Sequence, residues 1–422
     1  MRSVRFLLVL LATALLITGC GSDKESKKTS NAKKAPTADT KGAKGNVNWC
    51  IGKDTSGAYQ ASIDLFKKAN PKVKVKLVEL PESADEQRTQ LVQRLRAKSP
   101  ECDVLGMDVI WTAEFAAQGW LQDVSDLVGK REGDFIPSTL ETAKYQDKTW
   151  AVPMHTNAGF IYYRKDQVGS KAPASWEDVY KKAAQKKGLV YQGASYEGLT
   201  VCFLELLYSA GGKALSDDGK KVEVDSPEGK KTLQFMAAGF KNGAVPKAVT
   251  TYQEEPARRA FESSKASYMR NWPYAFALDN KSKVTGKFDI APFPKFGSGS
   301  PASVLGGINL GISAYSKNPK GAAAFIDFAT GPQAQKANFL ESASPPATAA
   351  PYGDKAVQKK NPFAPALKKA VEQGKARPVS PVYPQISEAI YKNVHDALQG
   401  KQKPDAALRK MKSEMEKALQ TF

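Results

Sequence analysis

The sequence predicts an α/β fold in two domains, and three observations carry the prediction. From residue 46 onward, strand-like and helix-like hydrophobic periodicities alternate. The first such stretch runs β-α-β-α-β, which implies a mostly parallel sheet with helices on both faces. The pattern then restarts, and 422 residues at 41% hydrophobic content are enough for two cores. No long linker and no internal repeat separates the halves, so the chain is expected to cross between domains more than once.

The elements follow in order. Asn46–Gly52 reads as a strand, and Thr55–Ala69 as a helix with Tyr59, Ile63 and Phe66 on one face. Val73–Glu79 alternates Val and Lys as a strand does. Ala84–Ala97 is helical, with Leu91, Val92 and Leu95 inward, and Cys102–Ile110 reads as a buried strand. Ligands of such sheets sit beyond the carboxyl ends of the strands. After the restart, Gly159–Tyr163 and Leu189–Tyr191 read as strands around the helix Ser175–Lys186. Helices are expected at Glu197–Ala210, Pro227–Asn242 and Pro256–Ser264, then a short strand at Ala266–Asn271. Phe288–Phe293 and Ile308–Ser313 read as strands flanking a glycine turn. Four helices are expected to close the chain, the last being Pro404–Leu419 with the stripe Leu408, Met411, Met415 and Leu419.

The N-terminus reads as targeting. Arg2 and Arg5 precede the apolar run Phe6–Ile17, too short for a confident membrane span. Ile17-Thr18-Gly19-Cys20 resembles a bacterial lipobox, which implies removal of residues 1–19 and lipidation of Cys20. The protein is then expected on the extracytoplasmic face of a bacterial cell membrane, held by lipid rather than by a spanning helix. Residues 20–45 are rich in Lys, Ser, Thr and Gly with no aromatic residue, the composition of a flexible tether.

The formal net charge is +19. Part of it sits in Arg2, Arg5 and the tether; the rest is spread in pairs such as Lys67-Lys68 and Lys220-Lys221, as on solvated helix faces. A basic surface suits anionic partners, but no nucleic-acid-binding pattern is present. There is no Walker A sequence, no GxSxG elbow and no GxGxxG after a strand. His155 and His395 stand far apart, and the cysteines fit no zinc spacing, so neither metal nor cofactor is expected. Neighbouring parallel strands would bring Cys50 and Cys102 together as a disulfide, while Cys202 reads as a buried thiol.

What remains is a set of aromatics, amides and carboxylates near strand ends, the groups that hold sugars by hydroxyl hydrogen bonds and ring stacking. Met107-Asp108-Val109-Ile110-Trp111, Ala158-Gly159-Phe160-Ile161-Tyr162-Tyr163-Arg164, Tyr196-Glu197-Gly198-Leu199, Glu254-Glu255-Pro256, Arg270-Asn271-Trp272-Pro273-Tyr274, Leu305-Gly306-Gly307 and Arg377-Pro378 with Tyr383-Pro384-Gln385 run in this order. Together with Ala84-Asp85-Glu86-Gln87-Arg88 they resemble the trehalose/maltose-binding members of the extracellular solute-binding proteins that serve carbohydrate ABC importers. The resemblance implies a two-lobed periplasmic-binding-protein-like fold of type II, with a ligand cleft between lobes joined by hinge strands. Lobe one would comprise 46–153 plus 294–328, and lobe two 154–293 plus 329–422. The expected activity is not catalysis. It is capture of a disaccharide (trehalose, maltose or a related α-glucoside) by a monomer, and delivery to the permease subunits of the importer.

By the same resemblance, Asp108 would accept from sugar hydroxyls, unless it is a helix cap. Trp272 would stack on a sugar ring, and Arg377 would donate from lobe two. Asn157, His155, Gly307 and Glu254 complete the ligand set. Asp54 is either ligand or cap of the following helix. Arg88 is either ligand or the partner of Asp85 in a helix-face ion pair. Two departures bear on specificity: Ile308 follows the glycine pair where some relatives carry Trp, and His155 stands where Tyr can occur. A lipid-anchored glycoside hydrolase is the alternative, since its carboxylates need no fixed spacing. An adhesin for anionic polymers is a third reading, resting on the basic surface.

Overall fold

The computed structural model describes residues 40–54, 57–217 and 219–421. The signal segment, Cys20 and all of the tether before Thr40 lie outside the described residues. Among the described residues no helix is long and apolar enough to cross a membrane.

Among the described residues, eleven strands form two main sheets and a hairpin. They are β1 Gly45–Gly52, β2 Val73–Leu80, β3 Val104–Asp108, β4 Lys144–Tyr145, β5 Lys148–Thr149, β6 Val152–Ala158, β7 Phe160–Arg164, β8 Leu189–Val190, β9 Tyr268–Asn271, β10 Phe288–Pro292 and β11 Leu305–Ile312. The first sheet has the order β2-β1-β3-β11-β6. β1 is parallel to β2 and β3, whereas β11 is antiparallel to β3 and β6, so the sheet is mixed rather than mostly parallel. β11 enters from the far part of the chain, and no local βαβ unit constrains its direction. β2 is one of the two edge strands, and its alternation leaves Lys74 and Lys76 exposed.

Alternation along β1 feeds two cores. Val47, Trp49 and Ile51 pack with Phe66 and Phe325 on one face. Cys50 packs on the other with Leu91, Leu105, Trp111 and Phe115. Cys50 is joined to Cys102 by a disulfide, with Cα atoms 5.6 Å apart. The bond ties the middle strand to the segment leading into β3.

The second sheet has the order β10-β7-β9-β8, with β7 antiparallel to both neighbours and β8 parallel to β9. Its core includes Tyr162, Phe203 and Tyr268, and it takes in the stripe Leu408, Met411 and Met415. The thiol of Cys202 is buried here, outside any disulfide, and donates to Gln192 Oε1 at 3.8 Å.

A single residue, Gly159, separates β6 of the first sheet from β7 of the second. A Cβ there would lie 2.6 Å from the Phe293 ring and 2.7 Å from a carboxylate oxygen of Glu205, so only glycine fits. Its N–H donates to Ser303 Oγ at 2.8 Å, tying the first crossing to the 293–304 crossing that leads to β11. The expected lobe break after residue 153 therefore falls inside β6; the sheets change at Gly159.

Other boundaries shift for local reasons. The first helix is described over Ala58–Ala69, with Gly57 at its N-cap in a left-handed φ of 81°; Thr55 and Ser56 of the expected Thr55–Ala69 lie outside the described residues. β3 stops at Asp108 rather than Ile110, because Asp108 Oδ1 accepts from Ile110 N–H and starts a 3-10 turn, Val109–Trp111. The helix expected at Pro256–Ser264 is Glu254–Glu262. Proline is accepted in its first turn, and Ser264 has a φ of 59°. Six helices follow β11, not four: Pro319–Ala329, Pro332–Ser342, Lys355–Lys360, Ala364–Glu372, Tyr383–Leu398 and Pro404–Leu419. The two short ones have too few turns to show a stripe in the sequence.

Candidate functional site

The carboxyl ends of β1 and β3 meet β11 and β6 at one edge of the first sheet. Ile308 of β11 is the register partner of both Asp108 in β3 and His155 in β6, so these three side chains form one row. Gly306 pairs with Asn157 one step along the same face. Gly307 lies between, on the opposite face. Its φ is +133°, and a Cβ would stand 2.4 Å from the His155 carbonyl oxygen. Gly307 therefore contributes a backbone conformation rather than a side chain. Burial lowers the His155 pKa to about 4 against the opposing pull of the Asp54 carboxylate, so its ring is neutral at pH 7.

Asp108 does not stand free. Arg377 Nη2 donates to its Oδ1 at 2.6 Å, and Nη1 donates to Glu197 Oε1 at 2.8 Å. Both the cap and the ligand reading of Asp108 thus meet a third partner. Glu197 Oε1 also accepts from Tyr383 Oη at 2.8 Å, and its other oxygen accepts from Ser387 Oγ. Only 2% of the Arg377 side chain is exposed. Asp85 joins the same cluster: burial raises its pKa, against an opposing hydrogen bond from the Glu197 N–H.

Burial also raises Glu197 to about 7, outweighing the attraction of Arg377. A folded-state pKa above the unfolded value means that this stability is complete below about pH 4.5 and is lost as pH rises through about 7. Glu197→Gln is expected to flatten the decline of the melting temperature between pH 5 and 8. An unchanged profile would place that titration elsewhere.

Arg88 makes its ion pair with Glu114, not with Asp85. Its Nε donates to Glu114 Oε2 at 2.7 Å, and Nη2 donates to Glu114 Oε1. Glu114 is carried on the helix Thr112–Ala117, whose nearly complete burial brings it within reach. Arg88 still borders a polar cavity of about 280 Å³, together with Asp85, Trp111, Glu197 and Tyr391. Asp54 accepts from Tyr59 N–H at 2.8 Å, in the first turn of the helix whose N-cap position is taken by Gly57.

A second cluster gathers beyond β9. Trp272 N–H donates to Asn271 Oδ1 at 2.8 Å, and the Trp272 carbonyl accepts from Tyr162 Oη at 2.7 Å. Its indole Nε1 donates to Glu254 Oε1 at 3.4 Å, while Glu254 Oε2 accepts from Tyr196 Oη at 2.6 Å. The Arg270 guanidinium lies 3.9 Å from the indole centroid. Arg270 is itself fixed by two bonds to Glu205, at 2.9 and 2.5 Å, and one to Gln192 at 2.9 Å. A Cβ at Gly306 would stand 3.2 Å from Trp272 Cη2 and 3.4 Å from Asn157 Cβ, so these three residues meet.

The expected site residues thus fall into linked groups: Asp108 with Arg377; His155 and Asn157 on one strand face; Trp272 with Glu254 and Gly306. Arg88 and Asp54 are engaged by Glu114 and Tyr59. Glu197, Tyr383 and Arg270 lay inside the quoted motifs but carried no assigned role, and Glu205 lay outside them. Their burial and partners, 65 to 190 residues distant, leave no periodic or spacing signal.

The chain is similar in sequence and in fold to known proteins. The pattern of the family described as bacterial extracellular solute-binding protein matches residues 52–336. A probable ABC transporter-binding protein of Deinococcus radiodurans is 35% identical over 362 residues, covering 81% of this chain and 86% of the relative. Maltose-bound MalE3 of T. maritima is similar in structure, with a TM-score of 0.83, 33% identity, and coverage of 88% of this chain and 98% of the other. The GacH receptor of Streptomyces glaucescens, solved unliganded and with acarbose, gives a TM-score of 0.80 at 25% identity, with 90% and 99% covered.

Proposed function

The chain belongs to the bacterial extracellular solute-binding protein family, and from that premise we propose that it captures a sugar for an ABC importer. The cargo is a disaccharide: trehalose, maltose or a related α-glucoside. The two-lobed periplasmic-binding-protein-like fold, shared with MalE3 and GacH, provides two sheets joined through Gly159 and the 293–304 crossing. The observation that carries the reading is the Trp272 platform over Gly306, with Glu254 on its indole N–H. Flat aromatic faces take the C–H face of a sugar ring, and carboxylates with Arg take its hydroxyls.

In this reading the two lobes are those expected from the sequence with the first crossing moved from residue 153 to Gly159, where the chain passes from one sheet to the other, and both line the cleft. Ligand closes the lobes because it gains contacts from both only in the closed state. Cys20 carries the lipid that holds the monomer at the membrane, where the closed face meets the permease. The chain performs no chemistry on the sugar, which leaves it intact.

Calorimetric titration of the chain from residue 46 with trehalose, maltose and sucrose tests the proposal. One disaccharide is expected to bind one-to-one, with a Kd in the micromolar range, about −8 kcal/mol. Trp272→Ala is expected to weaken it by roughly 10- to 100-fold, about 1.5–3 kcal/mol for one buried aromatic. Silence across the panel would remove the α-glucoside assignment, and release of monosaccharide would favour a hydrolase.

A further inference from the structure

The starts of β1, β2 and β3 lie together at one end of the first sheet, opposite the end that carries Asp108 and His155. β1 and β2 run parallel with Gly45 beside Val73, and Gly45 N–H donates to the Lys72 carbonyl at 2.9 Å. The turn from the helix Ala58–Ala69 into β2 carries Lys67, Lys68 and Lys72, and Lys74 follows in β2; all four are exposed. The turn from the helix Ala84–Arg96 into β3 carries the exposed Lys98. Asp103, just before β3, accepts from Lys317 N–H at 3.1 Å, and Asn318 Nδ2 donates to the Lys44 carbonyl at 2.9 Å. These bonds bring the exposed Lys44 and Lys317 to the same end. Along the sequence such lysines read as solvated helix faces; the fold gathers them into one pole.

We propose that this basic pole is a membrane-docking surface that rests on the anionic lipid headgroups of the bilayer to which Cys20 tethers the chain. The inference rests on the membrane anchoring in the reading above and adds an orientation to it.

Three observations support the docking. The first is uncompensated charge. Lys368 and Lys392 are paired with Glu372 and Glu388 on their own helices. The seven lysines of the pole make no ion pair among the described residues. Of the carboxylates at this end, Glu101 is paired with Arg94, and Asp103 is buried under bonds from Ser316, Lys317 and Asn318. Asp64 is exposed one turn before Lys67, and the lysines outnumber it. Such an excess seeks an anionic surface, and each lysine within a Debye length of it, about 8 Å at physiological salt, adds to the attraction.

The second is the path of the chain. β1 begins at Gly45, inside the pole, so the segment leading back to Cys20 leaves from this face. A lipid on Cys20 raises the local concentration of bilayer at the pole, and a weak charged surface then suffices for contact. The third is polarity along the sheet. β2 has eight residues, about 23 Å at roughly 3.3 Å per residue. At its far end, beside the cleft, Glu79, Glu82 and Glu86 are exposed, against Lys53. An anionic bilayer attracts the lysine end and not the carboxylate end. Docking therefore points the cleft away from the membrane, toward solute, and the tether lets the loaded molecule turn to meet the permease.

Cosedimentation with vesicles of phosphatidylcholine containing about 30% phosphatidylglycerol tests the proposal. The chain from residue 21 keeps the tether and carries no lipid. Binding is expected at about 0.05 M salt and is expected to fall at least roughly tenfold by about 0.5 M. Lys67→Gln/Lys68→Gln/Lys72→Gln/Lys74→Gln is expected to weaken it by roughly 30-fold or more. Lys181→Gln/Lys186→Gln/Lys187→Gln/Lys241→Gln removes four exposed lysines from the part of the chain that builds the second sheet, and is expected to change it by less than about threefold. Both variants should keep the wild-type melting temperature and sugar affinity. Equal losses in the two variants would reduce the attraction to net charge, and binding that survives the first would assign it to the tether; either result overturns the pole. Retention by polyglutamate but not by vesicles would give the surface to an anionic polymer and overturn membrane docking. Mass spectrometry of Cys20 and sugar titration of the same chain read the anchor and the cargo separately. Vesicle binding lost only in the pole variant supports the docking even where either of those readings fails.

Discussion

Arg377→Met is expected to cost about 3–5 kcal/mol of stability, because it leaves buried carboxylates without their cation. In the folded protein one guanidinium bridges Asp108 at the end of β3 and Glu197 at the start of the helix Glu197–Ser209, with 2% of its side chain exposed. Asp108 belongs to the first sheet and Glu197 to a helix packed in the core of the second, so the bridge joins the two halves of the fold. Removing it also removes a donor proposed for sugar hydroxyls. A hydrogen bond to a charged group contributes about 1.5–3 kcal/mol, so affinity is expected to fall roughly 10- to 100-fold. Arg377→Lys separates the two effects. Its ammonium restores the charge and most of the stability, but it lacks the planar fork that reaches both carboxylates at once. Urea denaturation and calorimetry on both variants check this. A loss below about 1 kcal/mol in Arg377→Met, the scale of an exposed ion pair, would refute the bridge as a structural element.

The contrast between Arg377 and Arg88 shows how much of the molecule the sequence exposes. Strands β1 and β2 and the helix Ala84–Arg96 could be placed within a few residues, because their apolar spacing is set by burial on one or two faces. β6 was not anticipated. Val152–Ala158 contains Pro153 and a short polar run, and it is a strand because β11 arrives from 147 residues away to pair with it. The same limit applies to the site. Asp108, Trp272 and Arg377 could be singled out from motifs, but the Arg377–Glu197 contact spans 180 residues and Arg88–Glu114 joins two separate helices. Charged residues carry no periodicity that announces a partner. Gly159 could be quoted within a motif, yet only the approach of Phe293 and Glu205 reveals why that position must be glycine.

Arg270 offers the sharpest separation of structure from binding. Arg270→Leu alone strands the Glu205 carboxylate, which is 1% exposed and whose pKa burial already raises, and is expected to cost about 3–5 kcal/mol. Glu205→Leu with Arg270→Leu removes both charges together, and a hydrophobic pair of similar volume should return stability to near the wild-type value. The double variant nevertheless lacks the guanidinium that lies 3.9 Å from the Trp272 indole centroid, an interaction of about 2 kcal/mol when desolvated. Without it the ring keeps its backbone anchors at Asn271 and Tyr162 but gains freedom about its side-chain torsions. A ligand must then pay that ordering cost on binding. Sugar affinity is expected to drop roughly tenfold, about 1.4 kcal/mol, in a protein as stable as wild type. Titration and denaturation of the same sample read the two quantities side by side. Full affinity in the stable double variant would reduce Arg270 to a packing role, whereas lost affinity with stability restored makes it the residue that positions the Trp272 platform.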